Sequence, residues 1–406
     1  MSGAAGLLAT VVGGVVGGEP PIRLRAWDGT ESGPAGGPVL VVNDPQALRR
    51  LLWQPNELGL AQAYVTKEID VEGDIELALR TVWRFARTSL PDGVRVGVPQ
   101  RMRALTTAIK LGAFGLPPAP PEVQAQLDGD LHSRERDRAA IAHHYDLSNE
   151  FYALLLDETM AYSCAYFTAD GMSLADAQRA KLDLICTKLG LKPGMRLLDV
   201  GCGWGSLTAH AAEHYGVEVV AVTLAAQQHA FVTARVAAAG LDHLVQVRLS
   251  DYRDIADTGF DAVATVEMGE HVGEDKYPAF IRGLRDKLQP GGRLLVQQMS
   301  RGANRPGGGA FIESYIAPDM HMRPVGETVA MIERAGLEVR HVEALREHYT
   351  RTARAWLATL EERWDAVVDL VGEPTARVWR LYLVGGALAF EERRMGVDQI
   401  LAVRDA

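Results

Sequence analysis

Apolar positions along this chain recur at two periods, and the switches between them mark out its elements. Ile22–Trp27 and Val39–Asn43 alternate or run apolar as short strands, with Asp28, Gly29 and Thr30 as a turn after the first. A helix opens at Asp44-Pro45 and runs to Trp53; Leu58–Val65 and Ile75–Phe85 read as further short helices around a strand-like Ile69–Gly73. Helical spacing returns at Leu174–Lys188. Beyond it, strand runs at Arg196–Val200, Val217–Thr223, Val245–Leu249, Asp261–Val266 and Arg293–Gln298 alternate with helices at Ser206–Tyr215, Ala226–Ala239 and Tyr277–Leu288. That alternation predicts an α/β fold with a doubly wound parallel sheet, whose ligand sites lie at the carboxyl ends of the strands.

Four stretches follow from the pattern: an apolar segment at 1–21, a small α+β domain at 22–92, a basic and proline-rich linker at 93–136, and a catalytic domain at 137–406. The first lacks a basic flank and is shorter than the roughly 20 residues a membrane span needs. It reads as a short helix or a loose start. From Gly93 to Pro121 there is no Asp or Glu; Arg95, Arg101, Arg103 and Lys110 interleave with Val96, Met102, Leu105, Ile109, Leu111 and Phe114. Such a segment lies on an anionic membrane surface or serves as a solvated linker. The whole chain has 406 residues, 47% hydrophobic and 23% charged, and a formal net charge of −10. That balance suits a globular protein and argues against nucleic acid, which needs clustered Lys and Arg. Three cysteines, Cys164, Cys186 and Cys202, have neither disulfide-framework nor zinc-site spacing, so no metal is expected and a reducing cytoplasm fits.

The most informative stretch is Leu197–Leu207, where a strand leads into Gly201, Gly203 and Gly205 and a helix follows. Glycines at such a turn let a ligand lie against the backbone, and the helix amides point at it. A dinucleotide site would place the third glycine one residue later and an acid at the end of the next strand, where this chain has Thr223. An NAD-dependent oxidoreductase is disfavoured on that ground. Asp199 before the turn, Trp204 within it and Thr223–Gln228 after the next strand match an S-adenosylmethionine (SAM) loop.

Further motifs occur in order: His144–Leu147, Tyr162–Phe167, Leu198–Gly205, Asp251–Asp254, Glu270–Gly273, Tyr315–Pro318 and Tyr349–Trp356. Together they resemble the cyclopropane-fatty-acyl-phospholipid synthase family, which includes mycolic acid cyclopropane synthases and actinobacterial fatty-acid methyltransferases. The resemblance implies a class I SAM-methyltransferase, Rossmann-like, with a small α+β N-terminal domain. It assigns Tyr162, Ser163, Gly201 and Gly203 to the methionine side of SAM, Thr223 and Gln228 to the ribose, and Asp251 and Tyr252 to the adenine, and counts Asp199, Trp204 and Gly205 among the cofactor-binding residues. It also implies a bicarbonate base held by a backbone group of Cys164, by Glu270 and by Tyr349. The family's other two bicarbonate ligands, a His and a backbone group of an Ile, fall at Gln297 and Met299 in this chain. Glu267 is either structural or a second acid.

The implied reaction is C-methylation of a cis double bond in an unsaturated phospholipid. The altered pocket leans the product towards a methylene branch of the 10-methylene type and away from a cyclopropane. A catalytically disabled lipid- or SAM-binding protein is the rival of another class. Expected partners are the phospholipid and the inner membrane face, where the protein would be peripheral. A homo-oligomer and a reductase for a methylene product are further candidates.

Overall fold

The computed structural model describes residues 3–16, 18–89, 97–124, 148–302 and 307–405, and the chain divides into two units, Met1–Gln124 with Gly372–Leu388, and Ala125–Val371 with Ala389–Ala406. Arg95, the His144–Leu147 motif and the expected start of the catalytic domain at Asp137 lie outside the described residues.

The first unit carries a sheet of β1 (Arg23–Ala26), β2 (Glu31–Ser32), β3 (Val39–Val42) and β4 (Ile69–Glu72), in the order β2-β1-β3-β4. The helices Gln46–Trp53, Glu57–Val65 and Ile75–Ser89 stand where the pattern puts them, and Asn56 caps the second by accepting the Gly59 N–H at 3.1 Å. The apolar start forms the helix Ala4–Val16 and the basic stretch the helix Val98–Lys110. Among the described residues, no helix is long and apolar enough to cross a membrane.

Residues 372–388, placed by the sequence in the catalytic domain, group with this first unit. Arg377 shows why. Its buried guanidinium donates to the Tyr64 and Ile69 carbonyls at 2.7 and 3.1 Å and lies 4.0 Å over the Tyr64 ring. A buried charge demands partners, and these sit on the small sheet's side of the chain.

The second unit is built on β5 (Arg196–Val200), β6 (Glu218–Thr223), β7 (Val245–Leu249), β8 (Phe260–Val266), β9 (Leu288–Ser300), β10 (Leu337–Ala344) and β11 (Gly396–Arg404), ordered β10-β11-β9-β8-β5-β6-β7. β5 to β9 are parallel. Consecutive residues serve opposite faces: Leu197 packs with Ile185 and Leu207 on one, Leu198 with Phe280 and Ile281 on the other.

The sheet departs from the all-parallel expectation at one end, where β11 runs antiparallel between β9 and β10. The signal was present. Leu337 and Val339 alternate with Glu338 and Arg340 as in a strand with one wet face, while Val397, Ile400 and Ala402 of β11 are buried. Strand order reverses about β5 and β8, so the crevice for a ligand opens at their carboxyl ends.

Candidate active site

A cavity in the second unit lies at those strand ends. Gly201, Gly203 and Gly205 all adopt left-handed backbone there, at φ +80°, +53° and +76°. A Cβ at Gly203, on the cavity wall, would meet nothing within 4 Å. A Cβ at Gly205 would stand 2.7 Å from Val232 Cγ1. Gly205 packs against the helix Ala226–Ala238 and, unlike Gly201 and Gly203, is not among the cavity-lining residues. The helix Ser206–Tyr215 has no side-chain cap, and its first residues Ser206 and Leu207 line the cavity, leaving its N-terminal amides for a ligand.

Around this turn the side chains are pinned from behind. Asp199 is 2% exposed and accepts the Thr208 hydroxyl at 2.7 Å. Burial raises its carboxyl to about 6, against the opposing pull of Thr208 and Lys181. The Trp204 indole donates to Asn149 Oδ1 at 3.0 Å, and its ring lies 4.2 Å from that of Tyr152. Ser163 Oγ accepts from the buried Lys181 ammonium at 2.9 Å, and Tyr162 lines the cavity beside it.

At the end of β6 the Thr223 hydroxyl donates to Gln228 Oε1 at 2.8 Å. That bond uses the amide's acceptor; its buried Nε2 has no hydrogen-bond partner among the described residues. A nucleoside hydroxyl satisfies such a donor. Ser250, Tyr252 and Arg253 complete this side. Asp251 does not line the cavity: it accepts the Arg253 N–H at 2.9 Å and the guanidinium Nε–H at 2.8 Å, so it caps a turn and positions Tyr252. The partnerless amide and the open glycine turn fit the expected SAM.

The second cluster forms at the end of β8, around Glu267. Its backbone is left-handed, at φ +52°, and its side chain lines the same cavity. Three donors converge on this one carboxylate. Oε1 accepts the Cys164 N–H at 2.8 Å and the Gln297 amide Nε2 at 2.9 Å; Oε2 accepts the Tyr349 hydroxyl at 2.6 Å. Gln297 is held in turn, since its Oε1 accepts Gln399 Nε2 at 2.8 Å and Gln399 Oε1 accepts Lys188 Nζ at 2.7 Å. That relay fixes which end of the amide faces Glu267. The Tyr349 ring stacks on Phe390 with centroids 4.4 Å apart. Burial raises the Glu267 carboxyl, while Tyr349, Cys164, Gln297 and Lys181 pull it back.

Glu270 lies deeper, 1% exposed, with Oε1 accepting the Met299 N–H and Oε2 without a partner among the described residues. Burial first, and then the charge of Glu267, push its carboxyl up to about 8. Of the two carboxyls, Glu267 has the three donors that favour a charged form, and Glu270 is the one pushed up to about 8. The Cys164 thiol donates to the Ala165 and Leu345 carbonyls at 3.3 and 3.6 Å, and burial raises it well above its ordinary value, so this cysteine contributes its backbone and no thiolate.

The expected bicarbonate does not fit these residues. The donors assigned to it from Cys164, Gln297 and Tyr349 are spent on Glu267, the Met299 N–H on Glu270, and a like charge occupies the pocket. Glu267 is the residue that motif spacing left open.

The mycolic acid cyclopropane synthetase family model matches residues 132–400. The chain is 39% identical over 402 residues to "Probable fatty acid methyltransferase" of Mycobacterium tuberculosis, covering 95% of this chain and 92% of that one. It is 32% identical over 404 residues to the tuberculostearic acid methyltransferase of the same organism, covering 95% and 88%. Among solved structures it is similar to a mycolic acid cyclopropane synthase complexed with S-adenosylhomocysteine and CTAB, at TM-score 0.62 and 33% identity, covering 66% of this chain and 98% of that one.

Proposed function

The chain belongs to the mycolic acid cyclopropane synthetase family and is a class I SAM-dependent methyltransferase; from that premise we propose that it methylates the cis double bond of unsaturated acyl chains in phospholipids, giving a methylene-branched chain of the 10-methylene type. The observation that carries this reading is a single cavity bounded on one side by the glycine turn and the Gln228 amide, and on the other by the Glu267 carboxylate. An alkene offers no charge to grip and no proton to remove first. Catalysis then rests on alignment and on sheltering a cation. Bound here, SAM supplies a methyl group on a positively charged sulfur. The open wall at Gly203 would give it backbone contact, Gln228 Nε2 would donate to a hydroxyl, and Tyr252 would offer a ring face. Tyr162 and Trp356, with ring centroids 5.4 Å apart, add aromatic surface near the Tyr349 ring.

The relative named for tuberculostearic acid favours a methyl branch; a cyclopropane is the alternative product. Expression in a host without such enzymes tests both. Both products add one carbon at equal mass, so ozonolysis or NMR of the acyl chains must separate them. A methylene-branched chain is expected, which a partner reductase would then saturate, and a wholly cyclopropane product moves the assignment to the alternative.

Contact with the inner membrane face is supported by the helix Val98–Lys110 and its sequel, where Met102, Ile109, Phe114 and Leu116 are exposed alongside Arg103 and Lys110. Replacing Arg95, Arg101, Arg103 and Lys110 by Gln should weaken binding to anionic vesicles, by about 1 kcal/mol for each charge near the surface. Equal binding by the two proteins returns the segment to a linker.

A further inference from the structure

We propose that the Glu267 carboxylate is a built-in base of the methyl-transfer site, standing where the resemblance places a bicarbonate ion, and that turnover needs no added bicarbonate. The inference rests on the methyltransferase reading above and adds the identity of its base.

Geometry carries it. A carboxylate and a bicarbonate present the same planar pair of acceptor oxygens, so donors arranged for one also suit the other. Here the Cys164 N–H, the Gln297 amide and the Tyr349 hydroxyl close on Glu267 at 2.8, 2.9 and 2.6 Å. The side chain lines the cavity that also holds the glycine turn. Its backbone sits at φ +52°, a conformation that non-glycine residues adopt sparingly and that recurs at functional sites. The remaining donor of the implied anion site, the Met299 N–H, is bound to Glu270.

The proton balance is simple. Once the methyl is attached, the neighbouring acyl carbon bears a positive charge, which a hydride shift moves to the methyl-bearing carbon on the route to a methylene. A C–H bond of the new methyl breaks, its electron pair completes the C–C or C=C bond, and the proton passes to a Glu267 oxygen. The product is then neutral and so is the carboxyl, which returns its proton to water when the cavity empties. Before that transfer the same carboxylate, fixed by three donors, stabilises the cation without reorganising.

The test uses the full-length protein with SAM and dioleoyl phosphatidylglycerol vesicles in carbonate-free buffer, with and without sodium bicarbonate. Wild type should methylate equally under both conditions. Glu267→Gln should bind SAM with unchanged affinity by calorimetry yet lose about 100-fold or more in turnover, with or without bicarbonate. Glu267→Gly suits the left-handed backbone and frees three donors; it should be inactive in carbonate-free buffer and regain activity with bicarbonate. In a parallel arm, carbon-13 NMR of labelled bicarbonate should show binding to Glu267→Gly and none to wild type. A wild type that requires or binds bicarbonate, or a fully active Glu267→Gln, overturns the proposal. Failure to methylate any vesicle would count against the substrate reading, and the NMR arm would still decide the role of Glu267.

Discussion

The two walls of the cavity are made of different materials. On the β5 side the chain withdraws its side chains: Gly201 and Gly203 leave backbone, and the uncapped helix Ser206–Tyr215 leaves amides. On the β8 side the chain inserts a side chain, and residues from three distant segments, at 164, 297 and 349, bind it. The first wall accommodates a ligand by being absent. The second acts by carrying a charge held in place. A wall of the first kind tolerates no added atoms, and one of the second kind tolerates no lost donors, so substitutions should fail for opposite reasons on the two sides.

The largest expected effect is on the backbone wall. Gly203→Asp keeps a residue that accepts left-handed backbone but fills the open space, so SAM binding by calorimetry should vanish while the melting curve stays close to wild type. Unchanged affinity would break the contrast at its first term. On the charged wall, Tyr349→Phe removes one donor to an ionised group. Turnover should drop about 10- to 100-fold with SAM affinity unaltered. A loss of SAM binding there would merge the two walls into one.

Gly205→Ala sharpens the comparison from inside the turn. It presses on Val232 and strains the backbone, so thermal unfolding should report a loss of about 1–3 kcal/mol with SAM affinity, scaled for folded protein, little changed. The smallest effect on turnover is expected at Glu270. This carboxyl is already protonated at neutral pH, so Glu270→Gln should leave the rate within a few-fold of wild type; a hundredfold loss would transfer the base from Glu267 to Glu270. Its signature is stability against pH. The folded carboxyl is raised from 4.5 to about 8, so it keeps its proton where the unfolded chain loses it. The stability it contributes is complete below about 4.5 and is lost as pH rises through about 8, and the Gln variant should melt with a flatter pH dependence across that window.

Legibility followed the same division. The parallel strands, the crossover helices and the glycine turn are local patterns, and each stood in the sequence as periodicity or spacing. Cys164, Glu270, Gln297, Met299 and Tyr349 were reachable through motif resemblance alone, because their meeting depends on β8, β9 and the helix Arg346–Glu362 closing together. Glu267 stayed open between a structural role and a second acid for a sharper reason. No periodicity separates a glutamate that ends a strand as a surface residue from one that turns inward, and only the three donors gathered from afar decide it. At Gly205 and Asp251 the letters are ambiguous, because a glycine for packing and an aspartate for a turn read the same as ligand contacts. The antiparallel end was overlooked because β11 pairs with strands far from it in sequence.

The amide relay behind Glu267 also has a consequence for the order of assembly. Gln297 and Gln399 are register partners on β9 and β11, strands synthesised about a hundred residues apart. Until β11 inserts, nothing in the relay dictates which end of the Gln297 amide faces the carboxylate, and its acceptor end would repel it. The glycine turn after β5 takes no part in that relay. A chain halted before Gly396 would lack the strand that supplies Gln399 to this relay. The orientation of that amide therefore depends on the last strand of the sheet to be synthesised.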